Sequence, residues 1–185
     1  DADTEGMSLN PPEKKMGWCG SDTRSVFFKD MHIPKSAVLG NPSKGFKQFL
    51  KTLTGGRITI GALGIGTAQG AFARALAYSQ EREAFGKPIH KFQGVSFKLS
   101  DMATQIEAAR HLVYYAAWKK ERGLPVIKEA AMAKLFSSET AMMVTTEAIQ
   151  VLGGYGYIKE YDVERFFRDA KILEIGEGTS EIQRM

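Results

Sequence analysis

From Gly45 onward the apolar positions recur every three and four residues, the period of a helix with one buried face. Phe46, Phe49, Leu50 and Leu53 open the pattern. Ala68, Ala71, Phe72, Ala75 and Leu76 carry it toward Lys87-Pro88, which is expected to end the first helix. A second helix is predicted from about Val95, with Leu99, Met102, Ile106, Ala109, Leu112, Val113 and Ala116 on one face and a stop at Gly123-Leu124-Pro125. The third is expected to begin at Pro125, whose fixed φ suits a first turn, and to run through Met132, Leu135, Met142, Ile149 and Leu152 to Gly153-Gly154. A shorter amphipathic stretch covers Val163 to Ile172. A last helix is expected from Ser180, where Ser180 and Gln183 stand at capping-box spacing.

Before Gly40 the texture differs. Pro11, Pro12 and Pro34 separate short polar clusters, and the compact run Ser25-Val26-Phe27-Phe28 reads as a strand between turns. The expectation is a mainly α chain: an up-and-down four-helix bundle over residues 41–185, preceded by a short β segment, residues 1–40, too small to fold alone.

Composition narrows the function classes. The 185 residues are 43% apolar and 25% charged, as in a packed globular protein, and a chain this long needs no disulfide or metal to complete a core. Cys19 is the single cysteine, so no internal bridge and no Cys-rich zinc or iron-sulfur site is expected. The net charge is +4, but the cations are interspersed with carboxylates and form no basic block, which argues against nucleic acid as a partner. The longest uncharged stretch, Ile58 to Ala73, is shorter than the ~20 apolar residues of a membrane span and is interrupted by glycine. His32, His90 and His111 have no metal-ligand spacing, so no metal site is assigned. Met102, Met132, Met142 and Met143 are read as core fillers.

Two segments stand out chemically. Gly55, Gly56, Gly61, Gly64, Gly66 and Gly70 lie inside a predicted helix, where each costs ~1 kcal/mol relative to Ala. Close helix packing is one explanation, for which Gly66 and Gly70 have suitable spacing. A ligand against the exposed backbone near Gly55-Gly56-Arg57 is the other, and Arg57, flanked by Ile58 and Ile60, calls for a carboxylate, phosphate or backbone partner. The second segment is Ile175 to Arg184, where glycines on both sides of Glu177 uncover its carboxylate just before a helix. Glu177 is either an ordinary acidic residue near a helix N-terminus or a base kept from water.

Arg82-Glu83-Ala84-Phe85-Gly86-Lys87-Pro88-Ile89, Gln150 to Tyr157, Arg165 to Lys171 and Glu177 to Arg184 together resemble, in order and spacing, the acyl-CoA dehydrogenase family. Met16 to Arg24 followed by Phe27 to Leu39 looks like the end of that family's middle β-domain, and residues 41–185 look like its C-terminal helical domain. The resemblance implies a C-terminal portion of an enzyme about twice as long, inactive alone. The implied reaction is FAD-dependent α,β-dehydrogenation of an acyl-CoA to trans-2-enoyl-CoA, as in fatty acid β-oxidation.

Carried over by the resemblance, Glu177 matches the catalytic base. Some subfamilies place the base at the position of Gly56, where glycine cannot serve. Arg57 matches an arginine near the acyl site, with Thr54 and Gly178 as further substrate contacts; Thr54 stands where many members have Asp. Gly176 replaces a common aromatic residue, which would widen the acyl cavity. Arg82 matches the FAD pyrophosphate ligand. Phe85, Gln93, Gln150 and Gly154 match residues at the adenosine end, and Thr179 and Glu181 match cofactor contacts beyond the base. Arg82 and Gln150 would serve the FAD of a neighbouring subunit, so a homodimer or homotetramer is implied, with electron-transfer flavoprotein as electron acceptor. The implied location is cytoplasmic in a bacterium and the mitochondrial matrix in a eukaryote. An acyl-CoA oxidase, a flavin monooxygenase of the same fold, and a non-catalytic helical assembly module remain as alternatives.

Overall fold

The computed structural model describes residues 3–185; Asp1 and Ala2, at the start of the segment read as β, lie outside the described residues. Three long helices dominate: α1 (Gly45–Glu81), α2 (Gln93–Glu121) and α3 (Ile127–Leu152). The Lys119–Glu129 ion pair (2.6 Å) at one end of α2 and α3, and Lys98–Glu147 at the other, show that these helices run antiparallel. The short α4 (Val163–Ala170) packs on α1 and α3 as a fourth member, and α5 (Ser180–Arg184) packs on α3. The fold is mainly α. Among the described residues no helix is long and apolar enough to cross a membrane.

The segment before the helices holds one antiparallel pair, β1 (Met7–Leu9) with β2 (Val26–Phe28), in which Met7 faces Phe28 and Leu9 faces Val26. β2 falls on the run read as a strand. The segment docks on α4 through Met16 to Trp18: the Trp18 N–H donates to Asp169 Oδ1 (2.6 Å) and Arg168 Nη1 donates to the Met16 carbonyl (3.0 Å).

Two helix boundaries and one cap differ from the sequence expectation, while α5 begins at Ser180 as expected. α1 ends at Glu81, not at Lys87-Pro88, because Arg82 turns extended and enters a tight hairpin of β3 (Glu83–Ala84) and β4 (Lys87–Pro88). Its turn residues Phe85 and Gly86 both have positive φ, 50° and 78°, as a two-residue hairpin with the right twist requires. α3 begins at Ile127, after Pro125. α5 is capped by Thr179, whose hydroxyl accepts from the Ile182 N–H (3.4 Å), so Ser180 lies in the first turn and Gln183 is free to act elsewhere. The end of α2 is as expected: the Gly123 N–H bonds to the Lys120 carbonyl and the Leu124 N–H to the Lys119 carbonyl, with Gly123 at φ 68°.

The core is built from Ile58, Ile65, Ala68, Ala71 and Ala75 of α1, Met102, Ile106, Ala109 and Val113 of α2, and Ala133, Ala141, Val144 and Ala148 of α3. So many small residues let backbones approach. A Cβ on Gly61 would lie 2.9 Å from Val113 Cγ2, and one on Gly64 3.0 Å from the Ser137 carbonyl oxygen. Gly70 faces the Phe166 ring in the same way, whereas a Cβ on Gly66 would meet nothing within 4 Å. Close packing therefore explains Gly70 and not Gly66. Phe46 and Phe49 keep the helical period yet are 78% and 74% exposed, and Met132 is exposed too, so it fills no core.

Candidate active site

After a 3-10 turn at Lys171–Glu174 the chain reverses through Glu177 and Gly178, both left-handed at φ 57° and 95°. For glutamate that conformation costs about 1–2 kcal/mol, so neighbouring groups have to impose it. They do. The Gln183 side-chain amide donates to the Glu177 carbonyl (3.2 Å) and to the Gly178 carbonyl (2.9 Å), while Lys134 Nζ, from α3, donates to the Gly178 carbonyl (2.8 Å). Gly178 tolerates no side chain: a Cβ there would lie 2.7 Å from Gln183 Nε2. Lys134 is completely buried, and this burial lowers its pKa from the usual lysine value.

The loop sets the Glu177 carboxylate on the backbone of α1. A Cβ on Gly56 would lie 2.6 Å from Glu177 Oε2 and 2.9 Å from its Cδ. Oε2 is buried and has no hydrogen-bond partner among the described residues. Arg57 Nε, one residue along the helix, is likewise buried and unpartnered, so the partner expected for Arg57 is not met at that atom. Thr54 gives its hydroxyl to the Leu50 carbonyl (3.0 Å). Beside the loop, Met16, Gly17, Trp18, Arg168, Ile172 and Ile175 line a largely apolar cavity of about 340 Å³. A buried carboxylate oxygen without a donor is suited to accept a proton from a bound molecule.

A second group of residues gathers at the other end of α1. Arg82, Tyr78, Ile89, Gly153, Gly154 and Tyr155 line a cleft of about 460 Å³. The Arg82 guanidinium is exposed and makes no hydrogen bond or ion pair among the described residues. Phe85, at the hairpin tip, is 96% exposed; Gln93 is exposed as well. Gln150 lines a neighbouring cleft with Tyr157, Phe167 and Arg168. Tyr155 packs against Tyr161 and Tyr78, with ring centroids 5.2 and 6.4 Å away, while Tyr157 is exposed. Gly56 and Arg82 are separated by roughly 35–40 Å of helix, so this group and Glu177 do not meet within the chain. Thr179 and Glu181 line a third, small cleft beyond the base with Lys171 and Arg184. The Glu181 carboxyl is held below its usual pKa by backbone N–H and the Thr179 hydroxyl at the start of α5.

The sequence profile described as acyl-CoA dehydrogenase, C-terminal domain, matches residues 43–185. The chain belongs to the acyl-CoA dehydrogenase family. A probable acyl-CoA dehydrogenase of Bacillus subtilis is 55% identical over 183 residues, 99% of this chain and 48% of that protein. The solved structure of butyryl-CoA dehydrogenase from Megasphaera elsdenii superposes with a TM-score of 0.98 at 51% identity, over 100% of this chain and 48% of the other. A structure described as electron transferring flavoprotein of Acidaminococcus fermentans matches with a TM-score of 0.97 at 49% identity, over 98% of this chain and 48% of that one. The chain thus spans about half the length of the relatives it matches.

Lys134, Gln183 and the apolar cavity were not singled out from the sequence. For Lys134 a signal existed: it falls on the stripe of Ala130, Ala133, Ser137 and Ala141, all buried, where a solvated lysine does not belong. Gln183 was read only as a capping partner. The cavity depends on Gly17, whose Cβ would lie 2.6 Å from the Arg168 carbonyl oxygen, a contact between segments far apart in sequence.

Proposed function

We propose that this chain forms part of an FAD-dependent dehydrogenase that converts an acyl-CoA thioester to trans-2-enoyl-CoA, with Glu177 as the base that takes the Cα proton. The observation that carries this reading is the Glu177 carboxylate, set over Gly56 with Oε2 buried and unpartnered. With no donor bonded to it, Oε2 keeps its lone pairs free to take a proton from a thioester bound against it. The left-handed Glu177 leaves its own N–H as a candidate donor to the thioester oxygen as enolate charge grows, a role worth ~3–4 kcal/mol at comparable sites. Gly178 follows the base, Arg57 adjoins Gly56 and Thr54 lies two residues before it on α1, and these three are assigned to the substrate.

For the cofactor, the unpaired Arg82 guanidinium at a cleft exposing the Gly153-Gly154 backbone fits a diphosphate, which a fixed fork of donors binds well. Phe85, Gln93, Gln150 and Gly154 would hold its adenosine end, and Thr179 and Glu181 a part nearer the base. FAD, when bound, supplies the acceptor for the hydride that leaves Cβ. The roughly 35–40 Å of helix between Arg82 and Gly56, where the Glu177 carboxylate lies, supports the reading that Arg82 and Gln150 serve the FAD of a neighbouring subunit in a homodimer or homotetramer. Residues 1–40 are read as the end of a preceding β-domain, and electron-transfer flavoprotein is assigned as the electron acceptor.

The test is Glu177→Gln in a holoenzyme containing this chain, with flavin reduction by acyl-CoA followed anaerobically. The amide is nearly isosteric and cannot take the proton, so FAD content is expected to persist and the reduction rate to fall by about two decades or more. A rate near wild type would refute the assignment. Slow reoxidation by air distinguishes a dehydrogenase from an acyl-CoA oxidase, and absence of any flavin reduction in the unmutated protein would favour a non-catalytic module.

A further inference from the structure

Lys134 is the one lysine with no solvent exposure in the core of the described residues, and no reaction step described above uses it. A buried ammonium is costly, and the burial is visible in its lowered pKa. Its single hydrogen bond goes to the Gly178 carbonyl, which also accepts from Gln183. Glu174, Glu181 and Glu139 attract its charge and Arg57 opposes it, but it forms no ion pair with any of them. An apolar residue of the same length would be cheaper in that place if the lysine served packing alone.

The peptide that Lys134 holds follows the base directly. Glu177 and Gly178 occupy consecutive left-handed positions, a conformation that glutamate does not prefer, and reversing either residue would swing both the carboxylate and the Glu177 N–H. Gln183 reaches the loop from α5, while Lys134 reaches it from α3, the helix most extensively packed in the bundle. The lysine is therefore the group that ties the loop to the rigid part of the fold.

We infer that Lys134 is a positioning residue for Glu177: its hydrogen bond to the Gly178 carbonyl fixes the strained loop so that the carboxylate stays over Gly56. Lys134 does not touch substrate and transfers no proton. The inference rests on the reading of Glu177 as base. It predicts a separation of rate from stability. Lys134→Met, which keeps the length and apolar stem but loses the donor, is expected to leave thermal stability unchanged or raised, since an unneeded buried charge is gone. The turnover number kcat is expected to fall about 10- to 100-fold, as loss of alignment near 1 Å does, with KM within about twofold. Lys134→Arg, which restores a donor, should recover part of the loss.

The measurements are kcat and KM of the holoenzyme, its melting temperature, and exchange of the acyl-CoA Cα hydrogen with D2O, which reads proton abstraction without completed oxidation. Exchange and kcat falling together in a stably folded Lys134→Met variant is the expected result. A folded variant with kcat and exchange near wild type would overturn the inference. Should Lys134→Met fail to fold, Lys134→Gln decides: its amide is too short to reach the Gly178 carbonyl and should show the same loss of kcat at nearly constant KM, and an unchanged kcat would again overturn the inference. Glu177→Gln run in parallel keeps the two readings apart. If it exchanges the Cα hydrogen normally, the base assignment fails; if it is inert while Lys134→Met is unimpaired, only the positioning role fails.

Discussion

Gly56→Ala separates rate from stability within α1. Its Cβ would stand 2.6 Å from Glu177 Oε2, about 0.8 Å inside ordinary contact, and the nearest atoms are the end of a side chain rather than backbone. The carboxylate has to give way while the helix stays. Replacing a mid-helix glycine by alanine favours the helix by ~1 kcal/mol, so the melting temperature should hold or rise. A displacement near 1 Å of a reacting group costs about 10²-fold, so a loss of roughly 10- to 100-fold in the rate of flavin reduction is expected. Gly66→Ala is the matched control, because its Cβ would meet nothing within 4 Å and should give the helix gain without the rate loss. Stopped-flow reduction under anaerobic conditions and a thermal melt suffice for both. If Gly56→Ala reduced its flavin as fast as Gly66→Ala, the carboxylate would not rest on Gly56 during reaction, and the argument would fail.

Other outcomes follow from the same geometry. Arg82→Met should lower FAD retention on gel filtration while leaving the melt of the apoprotein nearly unchanged, because among the described residues the exposed Arg82 guanidinium makes no ion pair; full flavin content would remove Arg82 from the cofactor site. Gly176→Tyr should shift kcat/KM toward shorter acyl chains: only the Ile172 carbonyl oxygen, at 3.3 Å, lies near its Cβ, and each methylene kept from burial costs ~0.8 kcal/mol. An unchanged profile between butyryl- and octanoyl-CoA would end that argument. Glu164, bonded to Arg168, and Glu129, bonded to Lys119, have carboxyl pKa values below the usual 4.5, chiefly through those hydrogen bonds. Because the folded values are depressed, the stability they contribute is present above about pH 4.5 and is lost as pH falls through the folded values. Glu164→Gln should therefore flatten the acid limb of a stability–pH curve, and an unchanged limb would show the pair contributes nothing.

The bundle was legible because its signal is local. The period of Leu99 to Ala116 marks one buried face, and Gly123 ends α2 through bonds made within its own last turn. Where a boundary was misplaced, a competing local motif was the cause: the Phe85-Gly86 turn outcompetes the helix that the apolar period extends toward Pro88. Phe46 and Phe49 share the period but point to solvent, since period alone names a face and not what covers it.

The site was legible in part for the opposite reason. Glu177 announces itself by the glycines around it, and Gly56 by its cost in a helix, but nothing in either segment says that the two touch. That contact joins residues on α1 and the loop before α5, in a bundle where Gly61 and Gly64 admit the neighbouring helices and Lys134 of α3 bonds to the loop. The two glycine anomalies thus have separate physical causes within one helix: at Gly61 and Gly64 the missing side chain admits a neighbouring helix, and at Gly56 it admits a carboxylate. A packing glycine replaced by alanine should loosen the bundle and lower the melt, whereas Gly56→Ala should not. The sign of the stability change therefore tells which glycines build the fold and which one makes room for the chemistry.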